Sequence, residues 1–102
     1  MIITGDEVSN GKPHPEPYLT AAARLGVRAK DCVAIEDSPT GVRSAVAAGA
    51  DLVMMCVGND DDVRAVAYGD NGALAGLKKG AILVDHTTAS AVVARELHGK
   101  CK

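Results

Sequence analysis

Two short stretches of this chain hold residue types that could bind a phosphate and a divalent cation. The first, GKPHPEPYL, presents Lys12 in a proline-stiffened loop. The second, IEDSPTG, places adjacent carboxylates, Glu36 and Asp37, directly before Ser38-Pro39. An ammonium offsets phosphate charge, and hard carboxylate oxygens suit Mg²⁺. Further along, Cys56–Asn59 follows an apolar run, and DHTTAS (85–90) follows another.

The elements that must carry these residues can be read from punctuation and periodicity. MIITGDEV begins apolar and β-branched and reads as a first strand. A helix is predicted over Glu16–Leu25, with Pro17 in its first turn and Gly26 past its end. Cys32–Ile35 reads as the second strand. Ser38 with Pro39 marks an N-cap and first helical position, for a helix ending near Ala48. Leu52–Val57 (LVMMCV) is continuously apolar, the pattern of a strand buried on both faces. Asn59 caps a helix opened by Asp60, Asp61 and Asp62, charges that suit the positive helix end. A short helical piece over Ala73–Leu77, a strand over Ala81–Val84 and a helix over Ala89–His98 complete the chain.

The order βαβαβαβα predicts an α/β fold with a four-stranded, mostly parallel sheet of Rossmann or flavodoxin-like type. Its carboxyl edge is where ligands bind in such sheets. In simple strand order, right-handed crossovers place every helix on one face. The three-layer form would then arise only on self-association, which makes a homodimer or higher oligomer the expected partner arrangement. Strand order 2-1-3-4 is the monomeric alternative.

Composition narrows the function classes. The 102 residues carry 11 Lys and Arg against 13 Asp and Glu, a net charge of -2. Five basic and six acidic residues fall in the first half, six and seven in the second, so neither half forms a nucleic-acid-binding stripe. No apolar run reaches the about 20 residues that span a bilayer, and no signal-peptide pattern opens the sequence. Cys32, Cys56 and Cys101 are dispersed and odd in number, which suits a reducing cytoplasm. Cys32 and Cys56 read as small strand hydrophobes. With no Trp or Phe, the core of this single domain is aliphatic and each side chain buries little area.

Residues 2–50 resemble the C-terminal part of a haloacid dehalogenase superfamily phosphatase, of the phosphoglycolate phosphatase and β-phosphoglucomutase type. GDEVSNGKPHPEPYL and AIEDSPTGVRSAVAAGA carry the likeness. The resemblance implies that Lys12 steadies the phosphoryl group and that Asp37, with Glu36 beside it, helps hold Mg²⁺. The family's nucleophilic DxD motif followed by Thr or Val does not occur in the chain. Asp6 reads as a solvated strand-end carboxylate.

Residues 50–98 resemble an internal piece of the 3-hydroxyisobutyrate dehydrogenase family. Cys56–Asn59, GALAGLKKG (72–80) and DHTTAS carry this second likeness. It implies that Val57, Asn59, Thr87 and Thr88 lie near an NAD(P) cofactor. The GxGxxG fingerprint that holds a pyrophosphate does not occur. Lys78, Lys79 and His86 read as surface residues, and Thr87, Thr88 and Ser90 as an N-cap cluster.

The two likenesses meet near Gly49–Leu52, dividing the domain into a phosphatase-derived segment (1–50) and a dehydrogenase-derived segment (51–102). The expectation is a folded chimera without autonomous catalysis that requires no cofactor. A weak Mg²⁺-dependent phosphate-ester hydrolase or phosphate-binding module is the first alternative, and an NAD(P)-binding remnant the second.

Overall fold

A computed structural model describes all 102 residues. Three strands, β1 (Val33–Glu36), β2 (Leu52–Met55) and β3 (Ile82–Asp85), pair in parallel in the order β1-β2-β3. Five helices surround the connections: α1 (Glu16–Leu25), α2 (Pro39–Ala47), α3 (Asp60–Ala67), α4 (Ala73–Gly76) and α5 (Ala91–Cys101). The fold is α/β with simple strand order, so the 2-1-3-4 alternative is not the one adopted.

The fourth expected strand does not form, and the sheet has three strands. Within residues 1–8 only a 3-10 turn, Gly5–Glu7, is regular. The Glu7 carboxylate turns back to accept the Thr4 amide at 2.7 Å and Arg24 of α1 at 2.8 Å. A β-branched run becomes a strand only beside a neighbour that completes its ladder. Met1 and Ile2 lie 67% and 81% exposed and pair with none.

The helix boundaries follow the local chemistry. α1 spans the expected residues, and Gly26 closes it in the left-handed region at φ 71°. The Ser38 hydroxyl accepts the Gly41 amide at 3.1 Å, with Pro39 at the first helical position. Asn59 accepts the Asp62 amide at 3.0 Å. α5 starts later than predicted and continues through Gly99 to Cys101, because Ser90 alone is its N-cap, accepting the Val93 amide. Thr87 serves elsewhere: its hydroxyl accepts the Val57 amide at 3.0 Å, joining the loops after β2 and β3.

One core spans residues on both sides of 49–52, where the two sequence likenesses meet. Ala34, Val42, Ala45, Val46 and Ala50 pack with Val53, Met55, Val63, Val66, Ala67, Ala73, Val93 and Leu97. Five of these thirteen are alanines, so helices lie close to the sheet while each contact buries little area. Lys78 reinforces the join rather than remaining merely solvated. Its ammonium donates to the Gly49 carbonyl at 3.1 Å and lies 3.6 Å from Asp51.

That core covers one face of the sheet. Ala34, Val53 and Met55 point into it, whereas Val33 and Ile35 are exposed and Leu52 and Met54 only half-buried. The apolar run of β2 therefore does not mean burial on both faces, since all packed helices share one side. Cys56 is likewise exposed rather than a buried strand hydrophobe, and Cys32 sits just before β1.

Candidate functional site at the carboxyl edge

The carboxyl ends of the three strands bring the candidate residues to one edge. Glu36 ends β1, Cys56–Asn59 follow β2, and His86–Ser90 follow β3. Backbone bonds from Cys56 to the Glu36 carbonyl (2.9 Å) and from His86 to the Met55 carbonyl (2.8 Å) continue the ladders past the strands.

Glu36 is the buried charge at this edge, its side chain 4% exposed. Lys12 donates to its Oε1, and so does the Tyr18 hydroxyl of α1. The Lys12 ammonium also lies 5.6 Å from the Tyr18 ring centroid, within cation–π range. Burial and the neighbouring Glu36 carboxylate push the Tyr18 hydroxyl well above the ordinary phenol range. Gly41, in the first turn of α2, lies against the Glu36 carboxylate, where any Cβ would overlap Oε2. The glycine of EDSPTG thus makes room for a carboxylate.

The loop carrying Lys12 is held from both sides. Glu16 accepts the amides of Ser9 (2.7 Å) and Asn10 (2.9 Å) and the Asn10 side chain (2.9 Å). Those bonds, first that from Ser9, hold the Glu16 carboxyl below the usual carboxylate range. The buried Ser44 hydroxyl of α2 donates to the His14 carbonyl at 2.6 Å. The Lys12–Pro13 peptide bond is cis.

The predicted ligand groups divide into those already paired and those left free. Glu36 meets Lys12 but points into the protein, while Asp37 is exposed and makes no side-chain hydrogen bond to the chain. A magnesium ion takes a near-octahedral set of oxygens. One exposed carboxylate beside an engaged one falls short of that, and no cluster of three or more His, Cys, Asp or Glu could hold a metal ion. Asp37 is thus the one carboxylate here free to reach a magnesium ion, and the chain supplies only part of such a site.

On the β2–β3 side, the Asn59 oxygen and the Thr87 hydroxyl are spent on amides of the chain itself. Thr88 is exposed, with no side-chain bond. Ser90 donates to Asp60 through its hydroxyl and, at 2.7 Å, through its amide. These bonds, first the hydroxyl, lower the Asp60 carboxyl from its ordinary value. A cleft of about 300 Å³ runs between β3 and α5, bordered by Leu83, Asp85, Thr87, Ser90, Val93 and Leu97. Neither Lys12 nor Asp37 borders it. No glycine-rich turn of the GxGxxG type lies at this edge to hold a dinucleotide's pyrophosphate.

Sequence reasoning missed Tyr18, Gly41, Ser44 and Asp60. Asp60 carried a signal as the first of three aspartates at a helix start, and Gly41 as the glycine of EDSPTG. Tyr18 acquires its role from α1 lying beside the end of β1, and Ser44 from the His14 loop lying against α2.

The family model described as the NAD binding domain of 6-phosphogluconate dehydrogenase matches residues 19–102. The chain belongs to that family. An uncharacterized oxidoreductase of Shewanella frigidimarina (strain NCIMB 400) is 63% identical over 51 residues, 50% of this chain and 18% of its own length. Phosphatases match as well. Hexitol phosphatase A of Escherichia coli (strain K12) is 42% identical over 53 residues, 52% of this chain and 24% of its own. A phosphorylated carbohydrates phosphatase of Thermotoga maritima is 39% identical over 83 residues, 81% of this chain and 38% of its own.

This member of the NAD-binding-domain family thus spans well under half the length of these relatives. It carries both likenesses read from its motifs. Each likeness also passes the join: the family model begins at residue 19, and a match over 81% of the chain must extend beyond Ala50.

Proposed function

We propose that this chain is a folded chimera, residues 1–50 phosphatase-derived and 51–102 dehydrogenase-derived, without catalysis of its own. One observation carries the reading. Three of the polar groups that either likeness would aim at a ligand are tied within the chain, Lys12 to Glu36, Thr87 to Val57 and Asn59 to Asp62, which leaves only the exposed Asp37 and Thr88 free. A covalent phosphoaspartate route needs a positioned nucleophile with an activating partner. Asp6 lies in the exposed 3-10 turn at the amino terminus, and Asp37 makes no bond that would orient it. Three unpaired cysteines support a reducing cytoplasmic setting.

A weak Mg²⁺-dependent phosphate-ester hydrolase is the second reading, supported by Lys12, Glu36 and Asp37 converging at the carboxyl edge. Release of p-nitrophenol from p-nitrophenyl phosphate, with and without millimolar magnesium, separates the two. The first reading expects the rate of buffer alone and no change in NADH or NADPH fluorescence on adding protein. Magnesium-dependent turnover that disappears in Asp37→Asn overturns it in favour of the hydrolase. Saturable enhancement of NADH fluorescence overturns it in favour of a dinucleotide-binding remnant.

A further inference from the structure

We propose that the uncovered face of the sheet is a self-association surface, occupied by the same face of a second copy of this chain. Strand register places Val33, Leu52 and Ile82 in one row and Ile35, Met54 and Val84 in the next. All six are apolar and uncharged. Val33, Ile35 and Ile82 are 57%, 74% and 53% exposed. Parallel sheets are covered on both faces almost without exception, because crossover helices pack on each. Here every crossover packs on the same side, as simple strand order with right-handed connections requires.

The chain as a whole is less covered than a monomer of its size. The chain exposes 6098 Å² for a mass of 10.4 kDa. A folded monomer of that mass exposes about 5,400 Å², leaving an excess of roughly 700 Å². One side of an ordinary stable interface buries about 800 Å². The excess is of the order of one side of such an interface, and Val33, Ile35 and Ile82 on this face contribute to it alongside Met1 and Ile2 at the amino terminus.

A second copy suits this surface because the face is self-complementary. A two-fold axis through its middle brings no like charges together, since none of the six side chains is charged. Met54, in the central strand, is unbranched and adapts to its mate across the axis. Two such sheets stacked about 10 Å apart give a helix–sheet–sheet–helix sandwich with both sheets buried.

Sedimentation equilibrium of the full chain, from low micromolar to submillimolar concentration, tests the proposal. The expected species has twice the 10.4 kDa chain mass. Ile35→Glu puts a charge at the most exposed of the six positions and should weaken dimerisation at least 100-fold while leaving the far-UV circular dichroism intact. A mixed sample of ¹³C-labelled and unlabelled chains provides the second measurement, independent of any substitution. It should show intermolecular NOEs from the Met54 methyl to methyls of Ile35, Val84 or Leu52. A monomer throughout that range overturns the proposal. So does a dimer indifferent to Ile35→Glu, which would place the contact at a free strand edge, or a dimer lacking those NOEs. Binding to phosphatidylcholine vesicles by a chain that stays monomeric would assign the face to a lipid surface instead.

Discussion

Replacing Lys12 by methionine keeps most of the side-chain length but leaves Glu36 without its cation. Glu36 has a side chain only 4% exposed, whereas that of Lys12 is 42% exposed. Breaking a fully buried ion pair from one side costs roughly 3–5 kcal/mol, chiefly through the stranded charge. Two features reduce that figure here. Lys12 is partly solvated, so its own contribution is screened, and the Tyr18 hydroxyl still donates to Glu36. The expected loss is about 2 kcal/mol, reading the partial exposure of one partner against the buried-pair range. For a domain of this size that corresponds to a drop in Tm of about 8–16 °C. Urea unfolding followed at 222 nm measures it directly. The double variant Lys12→Met/Glu36→Leu removes the stranded charge and fills the space with an apolar side chain. It should recover at least half of the loss, since replacing both partners of a buried pair is often neutral or stabilising. The reasoning is refuted if Lys12→Met changes stability by less than about 0.5 kcal/mol, the scale of an ordinary surface substitution. It is equally refuted if the double variant is as unstable as the single one.

The amino-terminal turn and the start of α5 give further tests. The Thr4 backbone amide, then Arg24, holds the Glu7 carboxyl down at about 2 against an ordinary 4.5. A depressed folded value means its stabilising contribution is full above 4.5 and is lost as pH falls toward 2. The Glu7 side-chain carbon followed by NMR should titrate with a midpoint near 2, and a midpoint near 4.5 would show that the turn does not persist in solution. Ser90→Ala removes both the N-cap of α5 and the hydroxyl that meets Asp60. It should cost about 1 kcal/mol in urea unfolding, and an unchanged midpoint would mean that α5 is held by Val93 and Leu97 alone.

Much of the secondary structure is legible because its causes are local. Pro17 with Gly26, Ser38 with Pro39, and Asn59 each fix a helix end through backbone geometry or a single side-chain bond, and α1, α2 and α3 start where those residues dictate. The apolar runs around residues 33–36, 52–55 and 82–85 likewise mark the strands to within a residue or two. The pairing of GKPHP with EDSPTG brings Lys12 and the Glu36 region to one edge, as their family resemblance implies.

What the sequence determined by itself was therefore the alternation of strands and helices, the helix ends and the edge at which the polar motifs gather. These follow from periodicity, turn chemistry and capping within a few residues. The tertiary structure decided which neighbours exist. MIIT is as β-branched as a strand should be, yet finds no partner and stays unpaired. LVMM is apolar on both sides, yet only one side meets helices. Lys12 reads from its motif as a phosphate ligand, and the fold sets Tyr18 of α1 and the buried Glu36 at the end of β1 beside it. Hydrogen-bond ladders, burial and ion pairing each require a second segment in place, and no local pattern specifies its position.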